Sequence, residues 1–562
     1  MPARTGGELV VASLLAQGVK HAFGVPGESF LAVLDALYDV RDRLDFIVCR
    51  HEGGAAYMGE AYAKLTGRPG VVLVTRGPGA SNAAIGIHTA VQDSTPLIVL
   101  VGQVGTDAMD REAFQEIDYR RMYGASVKWA AQIDRADRVP EYMAQAFRRA
   151  LAGRPGPVVL ALPEDMLSAR ADVQDPPRID AIRIAPTAQD VAAAQSLLAG
   201  AKAPLCLVGG QRWDASDCDA LRAFSDTTGI PVACAFRHQD LIDNRHPHYA
   251  GDVGIGINPK LAARVRDADV LLVVGERLGE MTTSGYTLLD VPLPRQALIH
   301  VHPGAEEIGR VYQPTLGVIA TPGEFLRALD ATRLADARWR VQARSAHADY
   351  EAWRTPRPAP GDVDPGALVR MLDEALPDDA VVTNGAGNCT VWLHRGFRYR
   401  GRGTQLAPYV GAMGYGVPAA IAAKILHPGR VVVSWNGDGC FLMNGQELAT
   451  AVQYGLGVIF VVVDNGMYGT IRMHQERTYP GRVSGTDLRN PDFAALARAY
   501  GAHAETVLRT DEFPAALERA RAHGGPALLH VQIDPQALTP NASLDALRAQ
   551  GLAARKATTA SA

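Results

Sequence analysis

The feature that most constrains this chain is an alternation that runs along nearly all of it. Apolar runs of strand length are separated by segments whose apolar residues recur with a helical period. Such runs extend from Phe46 to Cys49, Val71 to Thr75, Leu97 to Val101, Val158 to Leu162, Leu205 to Val208, Val270 to Val274, Val431 to Trp435 and Val458 to Val463. Runs that are apolar on both faces belong to parallel strands covered by helices on either side, so the fold class is α/β with doubly wound parallel sheets. A chain of 562 residues is too long for one core. Two proline-rich, charged stretches, around 175–186 and 354–365, carry no core-forming period and read as linkers. They divide the chain into an N-terminal domain (1–175), a central domain (188–345), a C-terminal domain (362–540) and a tail (541–562) expected to be either disordered or a lid.

The outer domains share a local pattern. Val71 to Gly102 and Val431 to Asn465 each read as strand, glycine turn, helix, strand, with Gly77-Pro78-Gly79 corresponding to Gly437-Asp438-Gly439. A duplicated scaffold suits a ligand held between two similar halves.

Charge narrows the partners. Fifty-six Lys and Arg stand against 60 Asp and Glu, a formal charge of −4, so no basic field recruits nucleic acid or a membrane surface, and small molecules are the expected partners. The six cysteines have no paired spacing for zinc or a disulfide framework. The opening residues lack a signal-peptide pattern, and the expectation is a cytoplasmic protein.

The chemistry concentrates at two strand ends. The strand from Val431 stops at Gly437-Asp438-Gly439, a helical segment from Gln446 to Tyr454 follows, and the strand from Val458 ends in Asp464-Asn465-Gly466. A right-handed βαβ crossover sets these ends side by side, where open parallel sheets bind ligands. A carboxylate, an amide oxygen and nearby carbonyls form an oxygen-only set suited to magnesium or calcium, completed by phosphate oxygens. Taken singly, Asp438 and Asn465 are ordinary turn residues, and Glu52 an ordinary first-turn acid; their joint placement is what favours a site.

Gly437-Asp438-Gly439, twenty-five residues, then Asn465 resembles the diphosphate-binding signature of thiamine-diphosphate enzymes. The segments Arg50-His51-Glu52-Gly53-Gly54-Ala55-Ala56, Thr75-Arg76-Gly77-Pro78-Gly79-Ala80-Ser81-Asn82, Ala113-Phe114-Gln115-Glu116 and Gly411-Ala412-Met413-Gly414-Tyr415-Gly416 extend the resemblance to the acetolactate synthase group along nearly the whole chain. It implies thiamine diphosphate and Mg2+ as cofactors, the metal being held by Asp438, Asn465 and the Met467 carbonyl. By the same resemblance Gly387, Asn388, Gly437, Gly439, Cys440, Gly469 and Thr470 line the diphosphate, Cys440 standing where the group carries serine. Met413 wedges under the bent cofactor, and Gly411 accepts a hydrogen bond from its amino group. Glu52 and Gln115 are the implied catalytic residues: a carboxylic acid on the pyrimidine ring nitrogen favours the tautomer that activates the thiazolium.

The implied function is a carboligase or decarboxylase of 2-oxo acids. A lyase of 2-hydroxy ketones or 2-hydroxyacyl-CoA, a flavin-linked oxidase and a non-catalytic homologue are the alternatives. Phe114 and His474 are candidate substrate contacts, and His474 fills the place of the group's acceptor-selecting tryptophan, which leaves the acceptor open. The central domain resembles a flavin-binding or vestigial nucleotide domain; FAD is a candidate that His300-Val301-His302-Pro303 disfavours, because acidic residues that would hold a ribose are missing there. The resemblance also implies a homodimer or homotetramer with active sites at the subunit interface.

Overall fold

A computed structural model describes residues 2–561. Each of the three long segments between the linkers carries one six-stranded, all-parallel sheet with helices on its faces, as the alternation predicts. In the first, β1 (His21–Gly24), β2 (Asp45–Val48), β3 (Gly70–Val74), β4 (Leu97–Gln103), β5 (Trp129–Gln132) and β6 (Pro157–Pro163) lie in the spatial order β2-β1-β3-β4-β6-β5. The middle sheet holds β7 (Leu205–Val208), β8 (Val232–Cys234), β9 (Tyr249–Asp252), β10 (Val270–Val274), β11 (Ala297–His302) and β12 (Leu316–Ile319), in the order β9-β8-β7-β10-β11-β12.

The third sheet contains β13 (Val381–Asn384), β14 (Gln405–Leu406), β15 (Val432–Gly437), β16 (Val458–Asp464), β17 (His503–Val507) and β18 (Ala527–Gln532), ordered β14-β13-β15-β16-β18-β17. The outer sheets therefore share one topology, and the turns at Gly77 and Gly437 follow the same strand of each, β3 and β15. The resemblance seen between two sequence segments is a resemblance between two whole sheets.

These outer sheets share a core. Helix α1 (Glu52–Thr66) begins where His51 caps it through Nδ1, which accepts the Gly53 N–H at 3.0 Å, and ends at Gly67 with φ +68°. It packs against α3 (Gly416–Leu426), whose run of alanines lets the helices approach closely. Tyr57 and Tyr415 meet edge to face, with centroids 5.3 Å apart. Within this apolar seam Lys64 is buried, its Nζ 2.6 Å from Asp93, 3.0 Å from Glu60 and 2.8 Å from the Ala407 carbonyl. Tyr415 and Thr95 donate to Glu60 at 2.5 and 2.7 Å. Buried charge survives here because each group is paired and hydrogen-bonded.

The tail carries a helix, α6 (Leu544–Ser561). Leu544 and Leu547 bury against Met467 and Leu538, and Arg548 forms an ion pair with Glu476, 2.8 Å away on α5 (Gly469–Thr478). A backbone continuing past Pro540 is thereby strapped over the segment that follows Asn465.

Candidate functional site

The two strand ends singled out in the sequence meet. β15 and β16 are paired in parallel, with Gly437 opposite Val463, so Asp438 and the Asp464-Asn465 pair emerge together. A cavity of about 240 Å³ opens over them. It is lined by Gly387, Asn388, Gly411, Met413, Gly437, Asp438, Gly439, Cys440, Asn465, Met467, Gly469 and Thr470, every cofactor and metal residue expected of the C-terminal domain. Cys389, Trp392, Tyr468, Ile471, Ile533 and Leu538, absent from the sequence reading, complete the wall.

Asp438 does not sit in a loose turn followed by a helix at Gln446. It opens a short helix, α4 (Asp438–Phe441), and the next turns are Gly445–Glu447 and Leu448–Gln453. Its Oδ1 accepts the Gly439 N–H at 2.8 Å, and the Asn490 amide donates to Oδ2 at 2.8 Å. The same Asn490 amide bonds Asp464 at 2.8 Å, and His530 holds the other Asp464 oxygen at 2.9 Å. Two carboxylates thus converge on one amide. Burial, and then the neighbouring Asp464, push the Asp438 carboxyl up to about 6. Burial acts on Asp464 too, but His530, the Gly466 N–H and Asn490 outweigh it and keep this carboxyl low. A pair in which one member resists ionising until positive charge arrives is the donor chemistry of a cation site.

The surrounding residues fit a diphosphate. A Cβ on Gly439 would lie 2.6 Å from the Tyr468 ring, and Gly387 has φ +125°, so backbone approaches the cavity where a side chain has no room. Thr470 donates its hydroxyl to Asn388 at 2.9 Å, and Gly469 N–H bonds the Met467 carbonyl at 2.8 Å. Cys440 is buried, and its sulfur accepts the Gly414 N–H at 3.2 Å. Met413 faces the cavity while its carbonyl accepts the Tyr57 hydroxyl of α1 at 3.3 Å, tying the wedge to the helix that carries Glu52.

Glu52 itself lines a different place. It is the first residue of α1, 9% exposed, and accepts the Asn82 amide at 2.9 Å; Gly79 sits against its other oxygen, where a Cβ would come within 3.2 Å. Asn82 and Gly79 belong to α2 (Pro78–Gln92), which follows the Gly77 turn. Gln115, at φ +65°, packs its backbone on Gly77, whose N–H donates to the Tyr119 hydroxyl at 2.8 Å. The expected N-terminal residues therefore gather around the first glycine turn and the C-terminal ones around the second. None of the residues lining the Asp438 cavity comes from the N-terminal domain. Phe114 (72% exposed) and His474 project to the surface, outside the cavity.

Sequence reasoning passed over Asn490 and His530, which come from a loop and a distant strand with no motif around them. Asp464 was visible only as a neighbour of Asn465.

The middle sheet gives a flavin no comparable space. At its topological switch, between β7 and β10, Trp213 donates to the Gly209 carbonyl at 2.9 Å, buried Glu276 takes the Thr282 hydroxyl at 3.0 Å, and His300 bonds the Glu276 carbonyl at 2.8 Å. Cavities of about 20 Å³ remain beside it.

An oxygen-ligand site and a glycine-lined diphosphate pocket on one sheet, with a buried acid on a sheet of the same topology, define an enzyme of the thiamine-diphosphate class. The chain matches the thiamine pyrophosphate enzyme N-terminal TPP binding domain over residues 4–122, the central domain over 191–329 and the C-terminal TPP binding domain over 385–531. It is 33% identical to the acetolactate synthase isozyme 2 large subunit of Escherichia coli (strain K12), covering 94% of this chain and 95% of that one. The acetolactate synthase large subunit of Corynebacterium glutamicum is 33% identical, with 92% and 84% covered, and a probable acetolactate synthase large subunit of Methanocaldococcus jannaschii 32%, with 95% and 93% covered. The chain belongs to the thiamine pyrophosphate enzymes.

Proposed function

We propose that this enzyme joins 2-oxo acids, as an acetolactate synthase-like carboligase. The observation that carries the reading is the convergence of Asp438, Asn465 and Met467 on one cavity whose remaining wall is glycine-lined backbone. Asp438 Oδ, Asn465 Oδ1 and the Met467 carbonyl would hold a divalent cation, Mg2+ by preference for diphosphate oxygens. Asn388, Gly439, Cys440, Gly469 and Thr470 receive the diphosphate, and Met413 and Gly411 fix the ring end. Thiamine diphosphate, when bound, supplies a carbon nucleophile at its thiazolium and an electron sink for decarboxylation.

Glu52 would hold the pyrimidine ring nitrogen of the cofactor, a task that its buried position and amide partner suit. Because the cavity takes no wall from its own N-terminal domain, Glu52 and Gln115 are supplied to it by a second copy of the chain, and the active unit is at least a dimer. Phe114 and His474, exposed in one copy, then have a partner surface to meet. Flavin chemistry is not assigned to this chain.

The test is incubation of the protein, loaded with thiamine diphosphate and Mg2+, with a panel of single and paired 2-oxo acids, with released carbon dioxide measured and products identified by mass spectrometry. The expected products are 2-hydroxy-3-oxo acids. Release of aldehyde alone, or turnover only of 2-hydroxyacyl-CoA, would overturn the carboligase assignment.

A further inference from the structure

A second and larger cavity, about 500 Å³, lies where the three domains meet, away from Asp438 and Glu52. Five guanidinium groups line it: Arg68 just after α1, Arg183 in the first linker, Arg212 just after β7, and Arg402 and Arg430 from the C-terminal domain. Their partners are mostly backbone. Arg212 donates to the Leu151 carbonyl at 2.6 Å and the Ile182 carbonyl at 2.5 Å. Arg402 donates to the carbonyls of Trp213 (3.2 Å) and Lys64 (2.8 Å), and its nearest carboxylate, Asp240, is 4.0 Å away. Arg430 bonds the carbonyls of Gly403 (3.1 Å) and Asp379, with the Asp379 carboxylate at 3.9 Å. Arg68 reaches Asp180 only at 3.5 Å, a carboxylate it shares with Arg178.

The acids in the same wall are already committed. Asp214 and Asp217 pair with Arg183, and Asp217 also with Arg327 at 2.7 Å. Carbonyls orient a guanidinium without cancelling its charge. Burial, and next to it the charge of Arg183, lower the pKa of Arg212 against an opposing pull from Asp217; burial lowers that of Arg430 by more than Asp379 and Asp240 raise it. The result is a cleft of ligand size walled by pre-oriented forks, of which Arg212 is held by carbonyls while Arg68, Arg402 and Arg430 reach a carboxylate only at 3.5, 4.0 and 3.9 Å. Planar forks of this kind match phosphoryl oxygens in pairs.

We propose that this three-domain junction binds a small anion carrying two or more phosphoryl groups, either a nucleoside diphosphate or inorganic diphosphate. It adjoins the strand-end crevice of the middle sheet, sharing Gln211 and Arg402 with the small cavity there, while its arginines come from all three domains and the first linker. Because Arg212 and Arg402 already bridge the N-terminal and middle domains and the first linker, an occupant there ties the three domains together.

The experiment is calorimetric titration of the full-length protein, saturated with thiamine diphosphate and Mg2+ so that the Asp438 cavity is taken, with ADP and separately with inorganic pyrophosphate. One saturable site per chain is expected, weakened by added salt, and a raised melting temperature. Binding of ADP alone identifies the nucleotide as the source, and binding of pyrophosphate alone identifies the free anion; either supports the site. Arg212→Gln and Arg402→Gln should each weaken binding by about tenfold or more, with Lys at either position restoring part of it. Arg430→Gln, which removes a fork that bonds only its own domain, covers the case in which the bridging variants fail to fold. Absence of saturable heat with both anions in the wild type overturns the proposal and leaves the arginines as domain latches. So does binding that survives all three substitutions or is abolished instead by Glu276→Gln in the middle-sheet crevice.

Discussion

The first and third sheets have the same strand order and the same glycine turn after the same strand, yet the two turns have unlike surroundings. Around Gly77 the space is taken: Gln115 backbone packs on it and the Tyr119 hydroxyl accepts its N–H. Around Gly437 the equivalent space is a cavity faced by Asp438, Asn465 and Met467. What the first sheet offers instead is Glu52, an acid one strand away at a helix start, held by a single amide. One scaffold used twice thus yields two unlike surfaces, a buried glutamate at a helix start and a cavity faced by an aspartate and an asparagine. The difference teaches that Glu52 and the Asp438 cavity stand on separate sheets of one chain, which is the separation the proposed sharing of a site between two copies rests on.

The largest expected effect comes from breaking the pocket. Asp438→Asn keeps an acceptor for the Gly439 N–H but removes the charge opposite the cation. Cofactor binding by calorimetry in the presence of Mg2+ should fall further than the roughly 100-fold that outer-shell changes cost, with turnover lost. Unchanged affinity would remove Asp438 from the metal set. Breaking the acid should do the reverse: Glu52→Gln is expected to lower kcat by roughly 10²–10⁴-fold while cofactor affinity stays within a few-fold, and retained turnover would end its role. The two defects sharpen the comparison when combined. If the halves come from different copies, mixing Glu52→Gln with Asp438→Asn chains restores activity, since mixed dimers hold one intact centre; if both halves act within one chain, the mixture stays inactive.

Next in size is a pH effect confined to the pocket. The Asp438 carboxyl, raised from 3.8 to about 6, binds a proton in the folded protein that the unfolded chain has already released. Without metal, its contribution to stability is therefore fully present below about pH 4 and is lost as pH rises to about 6. Added Mg2+ favours the ionised form, so the rise in melting temperature it causes should be small at pH 5 and large at pH 7. A rise independent of pH across that window would separate the cation from Asp438. Glu52 offers no equivalent response to Mg2+.

Much of this arrangement was legible because parallel α/β architecture writes itself into the sequence. A strand buried on both faces must be apolar throughout, and from Leu205 to Val208 and Val270 to Val274 the expected strands coincide with the observed ones. The glycine turns were legible for a steric reason, since side chains are excluded there. Asn490 and His530 were hidden because their role is fixed only by where the third sheet brings them, beside Asp464. The tail was hidden for a different reason: Leu544 and Leu547 carry a helical repeat too short to stand out amid Ala, Ser and Thr, and its stability comes from Met467, Leu538 and the Arg548 to Glu476 pair. Which copy supplies Glu52 has no signature within one chain at all.

Alanine at the glycine turns compares the two sheets through stability. Gly77 has φ +47°, and an added Cβ would lie 2.7 Å from the Gln115 carbonyl oxygen, which is backbone and cannot swing away; Gly77→Ala should cost about 1–3 kcal/mol in denaturant unfolding. Gly439→Ala meets instead the edge of the Tyr468 ring, a side chain at the cavity rim that can turn, so stability should change less while diphosphate affinity falls. Equal stability losses at both turns would mean that the second is as closed as the first.

The smallest effect should come from Cys440. Its sulfur accepts one backbone N–H, at 3.2 Å from Gly414, and burial raises its thiol pKa, so it is a neutral, weak acceptor in the diphosphate wall. A serine there is smaller by the difference between oxygen and sulfur and a better hydrogen-bonding group. Cys440→Ser should therefore tighten diphosphate binding, by less than about tenfold given the ~1 kcal/mol worth of one neutral hydrogen bond, without altering kcat. Weaker binding in that variant would mean that the pocket is shaped around sulfur, its bulk holding Gly414 and the adjoining Met413 in place. The sheet with the cavity would then owe its opening to side-chain packing as much as to its glycines.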